Sequence, residues 1–375
     1  MLAIRCVTLS IEHRNIRTIT SMVSRSLHIA FRVDASETIG AGHGMRCVTL
    51  ALGLKQRLKQ LGMKADFHFV STKSAQLLVS LYRQNGFLHS VVDTVDSSVD
   101  HIKADVWIVD HYQLDRVFEQ TLTNRNLKVM VIDDLANRMH DCHLLLDTNF
   151  LENYKNRYNE LVNESCRLLL GPSYALLREE FYALSQVQCK ALRQILICFG
   201  GSDPHNMTMF ALNALRLLDD NCIEANVVIN DNHKARNEIS EQIQRINSKT
   251  IHKVQLHINS RNMSHLMQTA TLMIGAGGSM HWERCVIGLP AIIISVADNQ
   301  RETSQYLADK NVCDYIGHFD EVGIEQLAGR MADLLRLPHR LSKMSNSAKT
   351  IIPLDKGTPK VCDEIISTFQ LTSTR

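Results

Sequence analysis

The chain has 375 residues, 45% hydrophobic and 21% charged, which suits two ordinary domains, each large enough to bury its own core. A net charge of +2 gives no basic surface for nucleic acid, and no apolar run reaches the roughly 18–20 residues that cross a bilayer. The ten cysteines show no CxxC pair and no Cys/His cluster at zinc spacing; most lie in apolar runs, as Cys198 does in ILICFGG, and read as reduced, buried thiols of a cytoplasmic protein.

Residues 1–26 are rich in Arg, Ser and Thr, with Glu12 their only acid. They read as a poorly ordered upstream extension, with Met22 near its end; the composition also resembles an organelle transit peptide. From Leu27 onward short apolar runs alternate with amphipathic stretches. LHIAFRVD (27–34) predicts a strand, and GMRCVTLALGLKQRLKQLG (44–62) predicts a helix with Gly62 at its end. ADFHFV, ADVWIVD and LKVMVIDD continue the series, several ending in aspartate, in the βαβ rhythm of a parallel sheet. The rhythm pauses over 150–190, where GPSYALLREEFYAL predicts a turn followed by a helix. A second series begins at QILICFGGSD and runs through a helix at MFALNALRLL and strands at EANVVIN, VQLHI, TLMIGAGG and PAIIISVADN.

The expected architecture is therefore α/β, with two Rossmann-like domains whose parallel sheets face a central cleft. The boundaries are an extension over 1–26, a first domain over 27–172, a connecting segment over 173–190 and a second domain over 191–352. The last segment, 353–375, is a helix expected to return to the first domain.

Five motifs fall at the carboxyl ends of predicted strands, where open α/β sheets bind ligands. In IGAGHGMRC (39–47), Gly40 and Gly42 relieve crowding at a helix start, and His43 is either a general base or a helix cap. The dinucleotide pattern GxGxxG fails here because Met45 holds its third glycine position. Arg46, one turn on, either contacts an anion or braces the loop. IVDHYQLD (108–115) places Tyr112 on the same sheet edge, to hydrogen-bond a sugar or simply to pack.

In the second half GGSDPHN supplies Gly200 and Gly201, and IGAGGSMHWERC supplies Gly277, Gly278 and Ser279 at a helix start suited to a pyrophosphate. Glu283 lies one turn into that helix, as an acceptor for ribose hydroxyls or as a solvated carboxylate. Asn299 and Gln300 in ISVADNQRET either face the cleft or form a turn and helix cap. GxxxxGK[ST], HExxH and GxSxG are absent from the sequence, and no local carboxylate pair marks a glycosidase.

Taken in order, RVDASETIGAGHGMRC, IDDLANRMHDCHLLLDTN, GPSYALLREEF, GGSDP, GAGGSMHWERCVIGLPAI and DNQ make the chain resemble one known family from about Leu27 to the last helix. This is the UDP-2,4-diacetamido-2,4,6-trideoxy-β-L-altropyranose hydrolase family of pseudaminic acid biosynthesis, related to MurG-type glycosyltransferases of the GT-B fold. The resemblance implies that UDP lies against the second domain and the sugar against the first. It also implies hydrolysis with inversion at the anomeric carbon, without metal or cofactor, on a UDP-linked diacetamido-trideoxyhexose. No nucleic acid, membrane or obligate protein partner is expected. His43 would be the base, Tyr112 and Asn299 would line the sugar side, and residues 277–283 would hold the nucleotide. The chain departs from the family at Gly44, where relatives usually carry a bulkier apolar residue.

Overall fold

The computed structural model describes residues 26–34, 42–72, 78–182, 193–218, 222–353 and 356–371. Nearly all of the 1–26 extension and the loop containing Gly40 lie outside the described residues.

The first sheet contains β1 (Leu27–Val33), β2 (Ala65–Thr72), β3 (Leu88–Val92), β4 (Val106–Asp110), β5 (Lys128–Ile132), β6 (Leu144–Asp147) and β7 (Arg167–Leu170). Its helices are α1 (Gly42–Gln60), α2 (Val79–Gln84) and α3 (Arg116–Thr123). The second sheet contains β8 (Gln194–Cys198), β9 (Glu224–Ile229), β10 (Lys253–Ile258), β11 (Leu272–Gly275), β12 (Ala291–Ser295) and β13 (Asp314–His318). Here the helices are α4 (Met207–Leu215), α5 (Arg236–Lys249), α6 (Met263–Thr269), α7 (Met280–Ile287), α8 (Arg301–Asp309), α9 (Ile324–Arg336) and α10 (Pro338–Lys349), and α11 (Thr358–Thr368) closes the chain.

Both sheets are parallel, ordered β3-β2-β1-β4-β5-β6-β7 and β10-β9-β8-β11-β12-β13. Each strand order reverses beside its first strand, between β1 and β4 and between β8 and β11, and these two reversals open the crevices where such sheets take ligands. The central strands are apolar on both faces because helices cover both. Ile29, Phe31 and Ile108 pack with Leu50, Leu54 and Leu58 of α1, while Ala30, Trp107 and Val109 pack with Phe118 and Leu122 of α3.

α1 begins at Gly42, two residues before its expected start, and Gly62 follows its end with φ +74°. β3, β6, β7 and β13 have no counterpart in the expected strand series. Each has only four or five residues, too few for periodicity to separate a strand from an apolar turn.

The expected helix in GPSYALLREEFYAL is not formed over the described residues. Short 3-10 turns at Pro172–Tyr174 and Glu179–Phe181 flank an extended stretch instead. Its side chains alternate between two cores: Tyr174 and Leu176 pack on the first domain, Ala175 and Leu177 on the second. A period of two is what a segment between two apolar bodies requires.

α11 lies on α1, with Val361, Cys362 and Ile365 buried in the first domain's core. The helices approach closely enough that a Cβ on Gly53 would sit 2.7 Å from Thr358 Cγ2. Where the chain crosses back, Thr358 Oγ1 donates to Leu177 O at 2.7 Å and Gly357 N donates to Ser173 O at 3.0 Å. The Tyr182 hydroxyl accepts from Thr358 N at 2.8 Å.

A buried polar cluster under α3 makes the first domain's stability depend on pH. His140 Nδ1 lies 2.7 Å from Glu119 Oε1, both side chains fully buried, and the Tyr158 hydroxyl and Arg138 both donate to Asp133 beside them. Burial alone would depress the imidazole's pKa, but the Asp133 and Glu119 carboxylates outweigh it and push it up to about 9. The folded value lies above the unfolded one of about 6.5, so this contribution is complete below that pH and is lost as pH rises through 9. Thermal denaturation is expected to show stability falling across this window by up to about 3 kcal/mol. Glu119→Gln should flatten the slope; an unchanged slope would show that the imidazole is not charged in the fold.

Candidate active site

The first crevice is built from the start of α1 and the end of β4. Asp110, the last residue of β4, is buried, and its carboxylate collects four donors, the most distant being the Cys47 thiol, Sγ to Oδ2 at 3.4 Å. His43 Nδ1 is 2.6 Å from Oδ1, Arg46 Nη2 donates to the same oxygen at 2.6 Å, and Arg46 Nε donates to Oδ2 at 2.6 Å. His43 and Arg46 reach one carboxylate because residues three apart share a helix face. Burial raises the cost of charging Asp110, but Arg46 and then His43 outweigh it and hold the carboxyl far below the usual range. A proton on Nδ1 directed at the ionised Asp110 would leave Nε2 its lone pair; Arg46 Nη2 also lies 3.0 Å from this Nδ1.

Among the described residues no partner occupies Nε2. His43 is 7% exposed, so its ring touches solvent only at the crevice wall. Gly42 opens the helix at an exposed position, and Gly44, the departure from the family pattern, is buried inside it.

Tyr112 follows two residues after Asp110 and packs edge-on against His43, ring centroids 4.5 Å apart at 89°. Burial and then the nearby Asp134 carboxylate keep its phenol protonated well above the usual range. Asn299 Nδ2 of the second domain donates to its hydroxyl at 3.0 Å. Thr303 Oγ1 makes a second link, donating to Asn149 Oδ1 at 3.3 Å.

The second crevice contains two helix starts that differ in kind. At α4, beyond Gly200 (φ +95°) and Gly201, Asp203 accepts from Met207 N and Thr208 N, each at 2.8 Å, with His233 Nε2 at 3.2 Å. A carboxylate of the chain itself therefore closes that helix start to anions. At α7 no side chain caps the helix; His281 N and Trp282 N already donate to Gly278 O at 2.9 Å and Ser279 O at 3.1 Å, so the amides a ligand could meet are those of the turn itself, up to Met280.

The α7 turn is tightly backed. A Cβ on Gly277 would sit 2.4 Å from Ser304 Oγ and 3.2 Å from Gln300 Cβ. Gln300 Oε1 accepts from Val296 N at 3.0 Å, so this side chain forms the turn rather than reaching freely into the cleft. Below it, His281 Nε2 is 3.3 Å from Ser304 Oγ, and buried Arg284 donates to His281 Nδ1 at 2.8 Å. Burial and the Arg284 charge push this imidazole well down, leaving it neutral.

Glu283 is neither solvated nor free. Arg178 of the linker grips both its oxygens, Nε to Oε1 at 2.7 Å and Nη2 to Oε2 at 2.9 Å, leaving only the remaining lone pairs for another donor.

The structure thus brings Gly42, His43, Arg46 and Tyr112 to one crevice and Gly200, Gly201, Gly277, Gly278, Ser279 and Glu283 to the other. Asn299 and Gln300 lie at the rim between them. The sequence places Asp110 on the sheet edge of His43 but assigns it no role, and it does not single out Asp134, Arg178 or Asp203. The signal for three of them was present, since aspartates end β4 and follow β5 and β8.

Residues 195–355 match the model of the glycosyltransferase family 28 C-terminal domain. The solved structure of Acinetobacter baumannii MurG superposes over 92% of this chain and 100% of its own, with a TM-score of 0.60 at 13% identity. The chain has the MurG-like GT-B fold. Among curated relatives, UDP-2,4-diacetamido-2,4,6-trideoxy-beta-L-altropyranose hydrolase of Campylobacter jejuni is 24% identical over 294 residues, covering 76% of this chain and 97% of that one. The resemblance read from the motifs is thereby supported. The uncharacterized protein MJ1062 of Methanocaldococcus jannaschii is 28% identical over 290 residues, covering 74% of this chain. This chain spans only 57% of that relative's length. The two crevices are joined at the rim, where Asn299 holds Tyr112 and the adjoining Gln300 backs Gly277. Among the described residues, no helix is long and apolar enough to cross a membrane, and no group of three or more His, Cys, Asp or Glu side chains is placed to hold a metal ion.

Proposed function

We propose that this protein hydrolyses UDP-2,4-diacetamido-2,4,6-trideoxy-β-L-altropyranose to UDP and the free sugar. The observation that carries the reading is a histidine with Nδ1 fixed by a buried carboxylate and Nε2 left over, on the domain edge facing an uncapped glycine-rich helix start. In this mechanism His43 Nε2 takes a proton from water as the water oxygen bonds to the anomeric carbon. The bond from that carbon to the diphosphate oxygen breaks, and its electron pair leaves with UDP. Attack opposite the leaving group inverts the centre. UDP is already a good leaving group, so stabilising its growing charge at the α7 amides serves in place of a strong general acid. Tyr112 and Asn299 would stand at the sugar, and Arg46 would orient the base by sharing Asp110 with it.

The test is incubation with UDP-diacetamido-trideoxyhexose isomers in plain buffer, following free sugar and its anomer by NMR. Release of UDP from one isomer, with the inverted anomer appearing first, supports hydrolysis. The second reading, a glycosyltransferase, is favoured by the family match over 195–355 and by the MurG-like fold. It predicts UDP release only when an acceptor is added.

The α7 turn has its own test. Gly277→Ala forces a methyl group into Ser304 Oγ, so the turn must shift. UDP affinity is expected to fall about tenfold or more, the worth of one or two charge-assisted hydrogen bonds. Calorimetric titration with UDP reads it, and unchanged affinity would remove the diphosphate from this turn.

A further inference from the structure

The motif IDDLANR follows β5, and the roles above leave its second aspartate unused. Asp134 Oδ2 accepts from Arg46 Nη1 at 2.9 Å, on the opposite side of the guanidinium from Asp110. Its side chain is 15% exposed, and its Oδ1 is buried beside the Tyr112 phenol, which interacts with this carboxylate. Its backbone is pinned as well: Asn149 Nδ2 donates to Asp134 O at 2.8 Å and Arg157 Nη2 donates to it at 3.2 Å.

The two side-chain links from the 299–303 segment both end on this assembly. Asn299 holds Tyr112, which neighbours the Asp134 carboxylate, and Thr303 holds Asn149, which holds the Asp134 carbonyl. From Asp134 the contacts run on through Arg46 to Asp110 and His43. One carboxylate thus stands between the Tyr112 phenol and the Arg46 guanidinium, the two groups that flank the His43 ring.

We propose that Asp134 is a positioning residue that couples the seating of the second domain on the first to the alignment of His43. It rests on the reading of His43 as the base, but one measurement is independent of turnover. When the second domain is seated, Thr303 and Asn299 fix Asn149 and Tyr112. Asp134 then holds the Arg46 guanidinium in the plane that lets it share Asp110 Oδ1 with His43. When the second domain swings away, both links are released and the histidine loses its fixed orientation.

The experiment is a double-mutant cycle of Thr303→Val and Asp134→Asn, read twice. The first readout is the downfield NMR resonance of the His43 Nδ1 proton, assigned by its loss in His43→Ala. Both single variants are expected to shift or broaden it, and the double variant should look like Asp134→Asn alone. The second readout is UDP release: Asp134→Asn should lower kcat about tenfold or more with KM changed less than twofold, and adding Thr303→Val should cost nothing further. Asp134→Glu, which keeps the charge, should recover part of the loss. An unmoved resonance in Thr303→Val, or losses that multiply in the double variant, would overturn the coupling even if wild-type hydrolysis is observed. If the wild type releases no UDP, the functional reading falls and the resonance still decides the role of Asp134.

Discussion

Replacing His43 with alanine is expected to lower UDP release from the UDP-sugar by about 10²- to 10⁴-fold, the usual worth of a general base. The ring contributes little to the core: it sits at the second position of α1 and touches the crevice wall. Its removal also leaves Asp110 paired with Arg46 through Nε and Nη2, so no buried charge is stranded. UDP affinity and the denaturation midpoint should therefore stay near wild type. Stopped-assay kinetics with calorimetric UDP titration separate the two effects. A variant retaining more than about a tenth of wild-type kcat would falsify the assignment of the base.

Asp110 carries the second large effect, and its two substitutions should fail in different ways. Asp110→Ala leaves a largely buried guanidinium with Asp134 and the His43 ring for partners, and breaking a buried pair costs up to about 3–5 kcal/mol of folding stability. Asp110→Asn keeps the shape but removes the charge that fixes the His43 tautomer. The expected outcome is a modest loss of stability with kcat down about 10²- to 10⁴-fold, as when the orienting carboxylate of a catalytic triad is made an amide. Because His43 and Asp110 act as one unit, His43→Ala combined with Asp110→Asn should be no slower than His43→Ala alone. Multiplying losses would show that Asp110 has a separate role in the chemistry.

Much of this arrangement was legible in the sequence, and the limits have physical causes. Short apolar runs and helical spacing placed the long strands and helices, and glycines after strands marked both crevices, because crowding at a strand-to-helix turn is local. What stayed hidden depends on neighbours distant along the chain. Asp110 meets His43, 67 residues before it in the chain, only because β4 lies beside β1. Glu283 was placed correctly on the first turn of α7, yet nothing near it announces Arg178, 105 residues upstream. The stretch from Tyr174 to Leu177 misled for a different reason. A turn followed by a helix is expected there, whereas its apolar residues serve two cores in alternation.

The polypeptide passes between its halves twice at one place, outward along 171–182 and back at 356–358, with the two passages bonded to each other. A double neck of this kind bends far more readily than it slides or twists. If the proposed function holds, the halves should swing about this neck as the nucleotide sugar enters and UDP departs. A proteolytic nick in either passage would leave the molecule in one piece, held by the other.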